Sequence, residues 1–133
     1  MPTLFIIDDD TERAEKTVED ALVCGFAPIS VTSEEMAYKL MGLLTPHAAV
    51  VDANLTRRYE REGLRVIQAL RNRHQDCFTV CVSSEQGTTE LGADAMQHGA
   101  WNFVDYSWIG IYGRNVLIEY MKIMREMLRK QDQ

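Results

Sequence analysis

Ala48-Ala49-Val50-Val51-Asp52-Ala53-Asn54 is a short apolar run that stops abruptly at a carboxylate. Small and β-branched residues without polar alternation predict a strand buried on both faces, as in a parallel sheet. Such a strand can carry polar residues only at its ends, so Asp52 belongs at the C-terminal edge, where open α/β sheets place their sites. The chain opens on a matching segment, Leu4-Phe5-Ile6-Ile7, followed by Asp8-Asp9-Asp10. Two buried strands that each end in acid set the expectations below.

The rest of the chain alternates strand and helix. Ala14, Val18, Ala21 and Leu22 recur at helical spacing after a Thr11 cap, and Gly25 closes that helix. Phe26 to Val31 reads as a second strand. Thr32 or Ser33 caps a helix through Leu44, with Met36, Leu40, Met41 and Leu44 on its inner face. A polar stretch from Thr56 to Glu62 follows the central strand. The next helix starts at Gly63 and turns Leu64, Ile67 and Leu70 inward. Phe78-Thr79-Val80-Cys81-Val82 is the fourth strand, ending in Ser83-Ser84. Thr88 or Thr89 starts a helix carrying Leu91, Ala95 and Met96, closed by Gly99. Trp101 to Asp105 is the fifth strand, and a last helix from about Asn115 carries Leu117, Tyr120, Met124, Met127 and Leu128. Five strands alternating with five helices predict a three-layer α/β sandwich on a five-stranded parallel sheet, expected in the order 2-1-3-4-5. In that order the chain reverses direction between the strands ending in Asp8-Asp9 and Asp52, so their carboxylates converge on one crevice.

Composition narrows the function classes. At 133 residues the chain has the length of a single domain, residues 1–133, able to bury roughly two-thirds of its unfolded surface. A net charge of −6 argues against a direct nucleic-acid grip. Cys24, Cys77 and Cys81 show neither CxxC spacing nor an even count, so no disulfide framework or zinc site is expected. No apolar run reaches membrane-spanning length, and a reduced, cytoplasmic domain is the expectation. Carboxylates crowded at one crevice either share protons or hold a hard cation. Mg²⁺ takes oxygen ligands and commonly uses one or two carboxylates beside a phosphoryl oxygen. An aspartate beside such an ion can attack phosphorus to form an acyl phosphate.

Over nearly its whole length the sequence resembles the receiver domains of two-component response regulators, which have a flavodoxin-like fold. Leu4 through Asp10 resembles their first strand and acidic pair, Val50-Val51-Asp52 the phospho-acceptor strand, and Val82-Ser83-Ser84 the strand end with a switch hydroxyl. Ala95 through Ala100 followed by Asn102-Phe103-Val104 resembles the fourth helix and fifth strand. The resemblance implies that Asp52 accepts phosphate from a sensor histidine kinase or phosphotransfer protein. It further implies that Asp9, Asp52 and the backbone carbonyl of Asn54 ligate Mg²⁺, with Asp8 acting mostly through water. Ser83 would hydrogen-bond the phosphoryl group, and Phe103 would be the aromatic that moves inward with it. A downstream protein would read the change through the fifth strand and last helix. The implied role is a switch rather than an enzyme.

Three features depart from the pattern. The family's Lys after the fifth strand falls on Tyr106, which supplies no positive charge, and Ser107 replaces the usual Pro. The insert Thr56-Arg57-Arg58-Tyr59-Glu60-Arg61-Glu62 offers Arg57, Arg58 or Arg61 as a substitute cation, against a plain solvated loop. Ser107-Trp108-Ile109-Gly110-Ile111-Tyr112-Gly113 is an apolar link suited to a partner or homodimer surface, or to sealing the sheet edge. Two other readings stand beside the phospho-acceptor. One is a pseudo-receiver that works as a protein-interaction module. The other is a Mg²⁺-dependent phosphohydrolase, which lacks a general acid two residues after Asp52 because Asn54 stands there.

Overall fold

The central segment folds as expected, and all five residues of its strand are buried. The structure is a computed structural model that describes residues 1–56, 60–85, 89–106 and 110–132, with backbone alone at Thr89, Gly110 and Ile111. Its strands are β1 (Thr3–Ile7), β2 (Ala27–Val31), β3 (Ala48–Asp52), β4 (Phe78–Ser83) and β5 (Asn102–Asp105). The helices are α1 (Thr11–Val23), α2 (Glu34–Leu43), α3 (Glu62–Arg73), α4 (Thr89–His98) and α5 (Gly110–Gln131). The strands form one parallel sheet in the order β2-β1-β3-β4-β5, the order expected from right-handed crossovers.

Strand alternation divides the core in two. Phe5, Ile7, Ala49, Val51 and Cys81 face a cluster built with Met41 of α2, Ile67 and Leu70 of α3, and Leu91 of α4. Leu4, Ile6, Val50, Val80, Val82 and Val104 face Ala14 and Ala21 of α1 and Leu117, Met121 and Met124 of α5. Each strand residue points to the face opposite its neighbour, so a strand covered by helices on both sides is apolar throughout. Among the described residues, no helix is long and apolar enough to cross a membrane.

Local departures from the expected pattern have local causes. Asp10, not Thr11, caps α1, its carboxylate accepting from the Arg13 amide at 3.1 Å. Ser33 caps α2 and accepts from Met36 N–H at 3.1 Å. Leu22, Met36, Leu44 and Met96 are substantially exposed rather than inward, while Thr17 and Asp20 are buried on α1. Asp20 accepts a two-pronged bond from Arg114, Nε at 2.9 Å and Nη2 at 2.8 Å, which satisfies its buried carboxylate. The helix α5 begins at Gly110 rather than near Asn115. Gly110 and Gly113, with their low helix propensity, conceal this start from a periodicity count. Trp108, with Ser107 and Ile109, lies outside the described residues, as do Thr88, Arg57, Arg58 and Tyr59.

Candidate functional site

Register brings the acids together. The β1–β3 pairing sets Ile7 beside Val51, so Asp8 falls level with Asp52 one residue beyond. One carboxylate oxygen from each of Asp8, Asp9 and Asp52 lies within 4.8 Å of the other two. Asp8 and Asp52 are almost fully buried, whereas Asp9 is exposed. Asp9 and Asp52 open on a cavity of about 240 Å³ whose walls include Asn54, Ser84 and Glu85.

The cluster already contains a cation, and it comes from neither place the sequence suggested. Arg13, in the first turn of α1, clamps Asp8 with Nε to Oδ2 at 2.7 Å and Nη2 to Oδ1 at 2.9 Å. The same Nη2 donates to Asp52 Oδ2 at 2.6 Å. A planar guanidinium suits this task because its fork matches one carboxylate while a free N–H reaches the next. Burial works against the charge on Arg13, but the bonds and charges of Asp8 and Asp52 outweigh it and raise its pKa. On Asp52 burial dominates, with Asp8 and Asp9 adding to it. Together they outweigh Arg13 and the Asn54 amide at 3.1 Å and hold the carboxyl well above its usual range. Asp9 is raised as well, by partial burial and then by Asp8.

Arg61, the one candidate substitute cation within the described residues, is engaged elsewhere. Its Nη2 bonds Glu85 Oε1 at 2.6 Å, and Nη1 lies 3.5 Å from Asp94 Oδ2. Its backbone takes the left-handed conformation at φ 55°, which a non-glycine residue adopts only when its surroundings impose it. Asn54 is that constraint: its Oδ1 accepts from Arg61 N–H at 2.8 Å, and its Nδ2 donates to Glu85 at 3.0 Å. The excursion after Asp52 is then closed by buried Glu62, which accepts from the Leu55 amide at 3.3 Å and from the Thr56 hydroxyl. Gly63 N–H donates to the Ala53 carbonyl at 2.9 Å, returning the chain to the end of β3.

The remaining expected residues sit around this centre. Ser83 is fully buried, and its hydroxyl accepts from the Glu85 amide at 2.9 Å. The adjacent Ser84, not Ser83, lines the cavity. Phe103 is half-buried on the α4 side, against Gly92. Tyr106 lies on the opposite side of the sheet, its ring centroid 5.5 Å from the Arg13 guanidinium carbon. Burial pushes its phenol up, so it stays neutral. A Cβ on Gly113 of α5 would lie 2.3 Å from Tyr106 Cδ1. Gly113→Ala should therefore drive the ring off Arg13 and cost about 2 kcal/mol, read as a lower urea midpoint at unchanged slope.

Arg13 is the site residue that sequence reasoning missed. A signal for it existed: a cation in the first turn of a helix opposes the positive end of the macrodipole and calls for a specific anion nearby. Three acids directly precede this one.

No protein-family model matches the sequence, and no curated protein matches it. Solved structures do match in fold. One is a response regulator from Burkholderia pseudomallei bearing a phosphorylated aspartic acid, a calcium ion and citrate; it is 17% identical, with a TM-score of 0.76 over 99% of this chain and 73% of that one. A Thermotoga maritima response regulator is 17% identical, with a TM-score of 0.77 over 95% of this chain and 98% of its own. The receiver domain of a Francisella response regulator gives 0.78 at 16% identity, over 96% and 99% of the two chains. The fold is thus the flavodoxin-like sandwich of these response regulator receiver domains.

Proposed function

We propose that this chain is a two-component receiver domain whose phospho-acceptor is Asp52. The observation that carries the reading is the convergence of Asp8, Asp9 and Asp52 within 4.8 Å at the switch point of this sheet. The Burkholderia neighbour, which carries a phosphorylated aspartic acid and a calcium ion, supports it. In the reaction an Asp52 carboxylate oxygen attacks the phosphorus of a phosphohistidine. The P–O bond forms as the P–N bond breaks, and the imidazole nitrogen leaves with the electron pair and takes up a proton. The donor is a sensor histidine kinase or phosphotransfer protein. A downstream protein, or a second copy of the chain, reads the result on the β5–α5 side. The chain acts as a switch rather than a turnover catalyst.

The clustered carboxylate oxygens of Asp8, Asp9 and Asp52 fit a hard divalent ion such as Mg²⁺. Asp9, Asp52 and the Asn54 carbonyl would hold it. When bound, such an ion neutralises charge on the transferring phosphoryl oxygens. Three unpaired cysteines, with burial pushing the Cys77 thiol up to about 12, suit a reducing cytoplasm.

A second reading rests on one specific observation. With Arg13 on Asp52 and Tyr106 in place of the Lys, the site is already neutralised in part, as a phosphorylation-independent interaction module would need. Mg²⁺ with beryllofluoride, or with a small phosphodonor, separates the readings. Intact mass should show one adduct per chain, absent from Asp52→Asn. No adduct at any donor concentration would favour the interaction module, and sustained release of phosphate would favour a phosphohydrolase.

A further inference from the structure

Arg13 forms the wall between two cavities. On one side lies the acidic pocket. On the other a larger opening of about 610 Å³ is bounded by Glu12, Lys16, Asp20, Tyr106 and Arg114, among others, with Asp10 and Ser84 common to both. The guanidinium occupies three of the six carboxylate oxygens in the cluster: both of Asp8 and Oδ2 of Asp52. Only Asp9 and the other oxygen of Asp52 stay clear of it. A divalent ion drawn to this cluster meets a resident positive charge a few ångströms away, in surroundings where like charges are poorly screened.

The reading of the cluster as a hard-cation site is the premise here. On it, we propose that Arg13 is a tethered competitor of the divalent ion, released from Asp8 and Asp52 into the α1–α5 cavity when the metal enters. That cavity can receive the side chain: its volume exceeds that of a guanidinium several-fold, and Glu12, held among the described residues only by a long 3.8 Å contact with Lys16, offers a carboxylate, while Asp20 there is already engaged by Arg114. Departure is transmitted. Arg13 lies against the Tyr106 ring, and a Cβ at Gly113 would overlap the Cδ1 of that ring, so it packs directly on the start of α5. An event among the acids thereby reaches the last helix without any lysine at the end of β5. Arg13 is a positioning residue in this scheme, acting on the ion and on Tyr106.

The test is a calorimetric titration with Mg²⁺ alone, on the full chain, for the wild type, Arg13→Gln and Arg13→Lys. Arg13→Gln should bind Mg²⁺ about tenfold more tightly or better. Arg13→Lys, which keeps the charge but loses the fork, should lie nearer the wild type. The near-ultraviolet tyrosine signal should change on Mg²⁺ addition to the wild type and change less in Arg13→Gln. Equal or weaker binding by a folded Arg13→Gln overturns the competition while leaving the metal site intact. If Arg13→Gln does not fold, Arg13→Lys decides, and affinity below that of the wild type overturns it. Absence of binding in all three removes the metal premise together with the proposal.

Discussion

Gly63→Ala should lower stability by about 3 kcal/mol or more, moving the thermal midpoint down by about 10 °C. A Cβ at this position would lie 1.9 Å from the Asp52 carbonyl oxygen and 2.8 Å from Ala53 Cα. Both are backbone atoms, so no rotamer change relieves the overlap. Either α3 backs away from the end of β3 and loses the Gly63–Ala53 hydrogen bond of 2.9 Å, or β3 shifts in its ladder. Both responses disturb Asp52 directly, so adduct formation should fall along with stability. An unchanged melting temperature would mean that the loop after Asp52 does not return to the strand as described.

Arg13→Met should be the other severe change, and its cost should depend on pH. Removing one partner of a buried pair leaves charge without compensation, typically at about 3–5 kcal/mol, and here two buried carboxylates lose the same partner. Burial, then Asp8 and Asp9, already hold Asp52 above its ordinary pKa against the pull of Arg13. A carboxyl with a raised folded pKa binds its proton more tightly in the native state. Its stabilising contribution is therefore present below the unfolded pKa and is lost as pH rises through the folded one. Without Arg13 that pKa moves further up. The urea midpoint of the variant should thus fall from about pH 5 to about pH 8 more steeply than that of the wild type. A parallel pair of pH profiles would show that Arg13 does not neutralise Asp52.

These two residues mark different degrees of legibility. Gly63 was visible as a glycine at the start of a helix, but its reason, contact with the Asp52 carbonyl, spans a loop of charged residues whose path no periodicity encodes. Arg13 was visible as a cation in the wrong turn of a helix. Yet the pocket it fills is made by β1 and β3, and the aromatic ring it lies against, Tyr106, is far away in the chain. Arginines are dense in the loop after Asp52, which makes that loop the place the sequence offers for a substitute cation. Arg61 there serves Glu85 and Asp94 instead, because Asn54 fixes its backbone facing that way.

What the sequence determined alone was whatever short-range pattern encodes. Unbroken apolar runs made buried parallel strands, helical spacing between them made crossovers, and acids at two strand ends made a switch-point cluster. Burial of both sheet faces permits little else. The tertiary structure alone decided which charges meet. A guanidinium reaches several ångströms from its backbone, so its partner is chosen by the packing angle of α1 on the sheet and the register of β1 against β3. Neither is a property of any single segment.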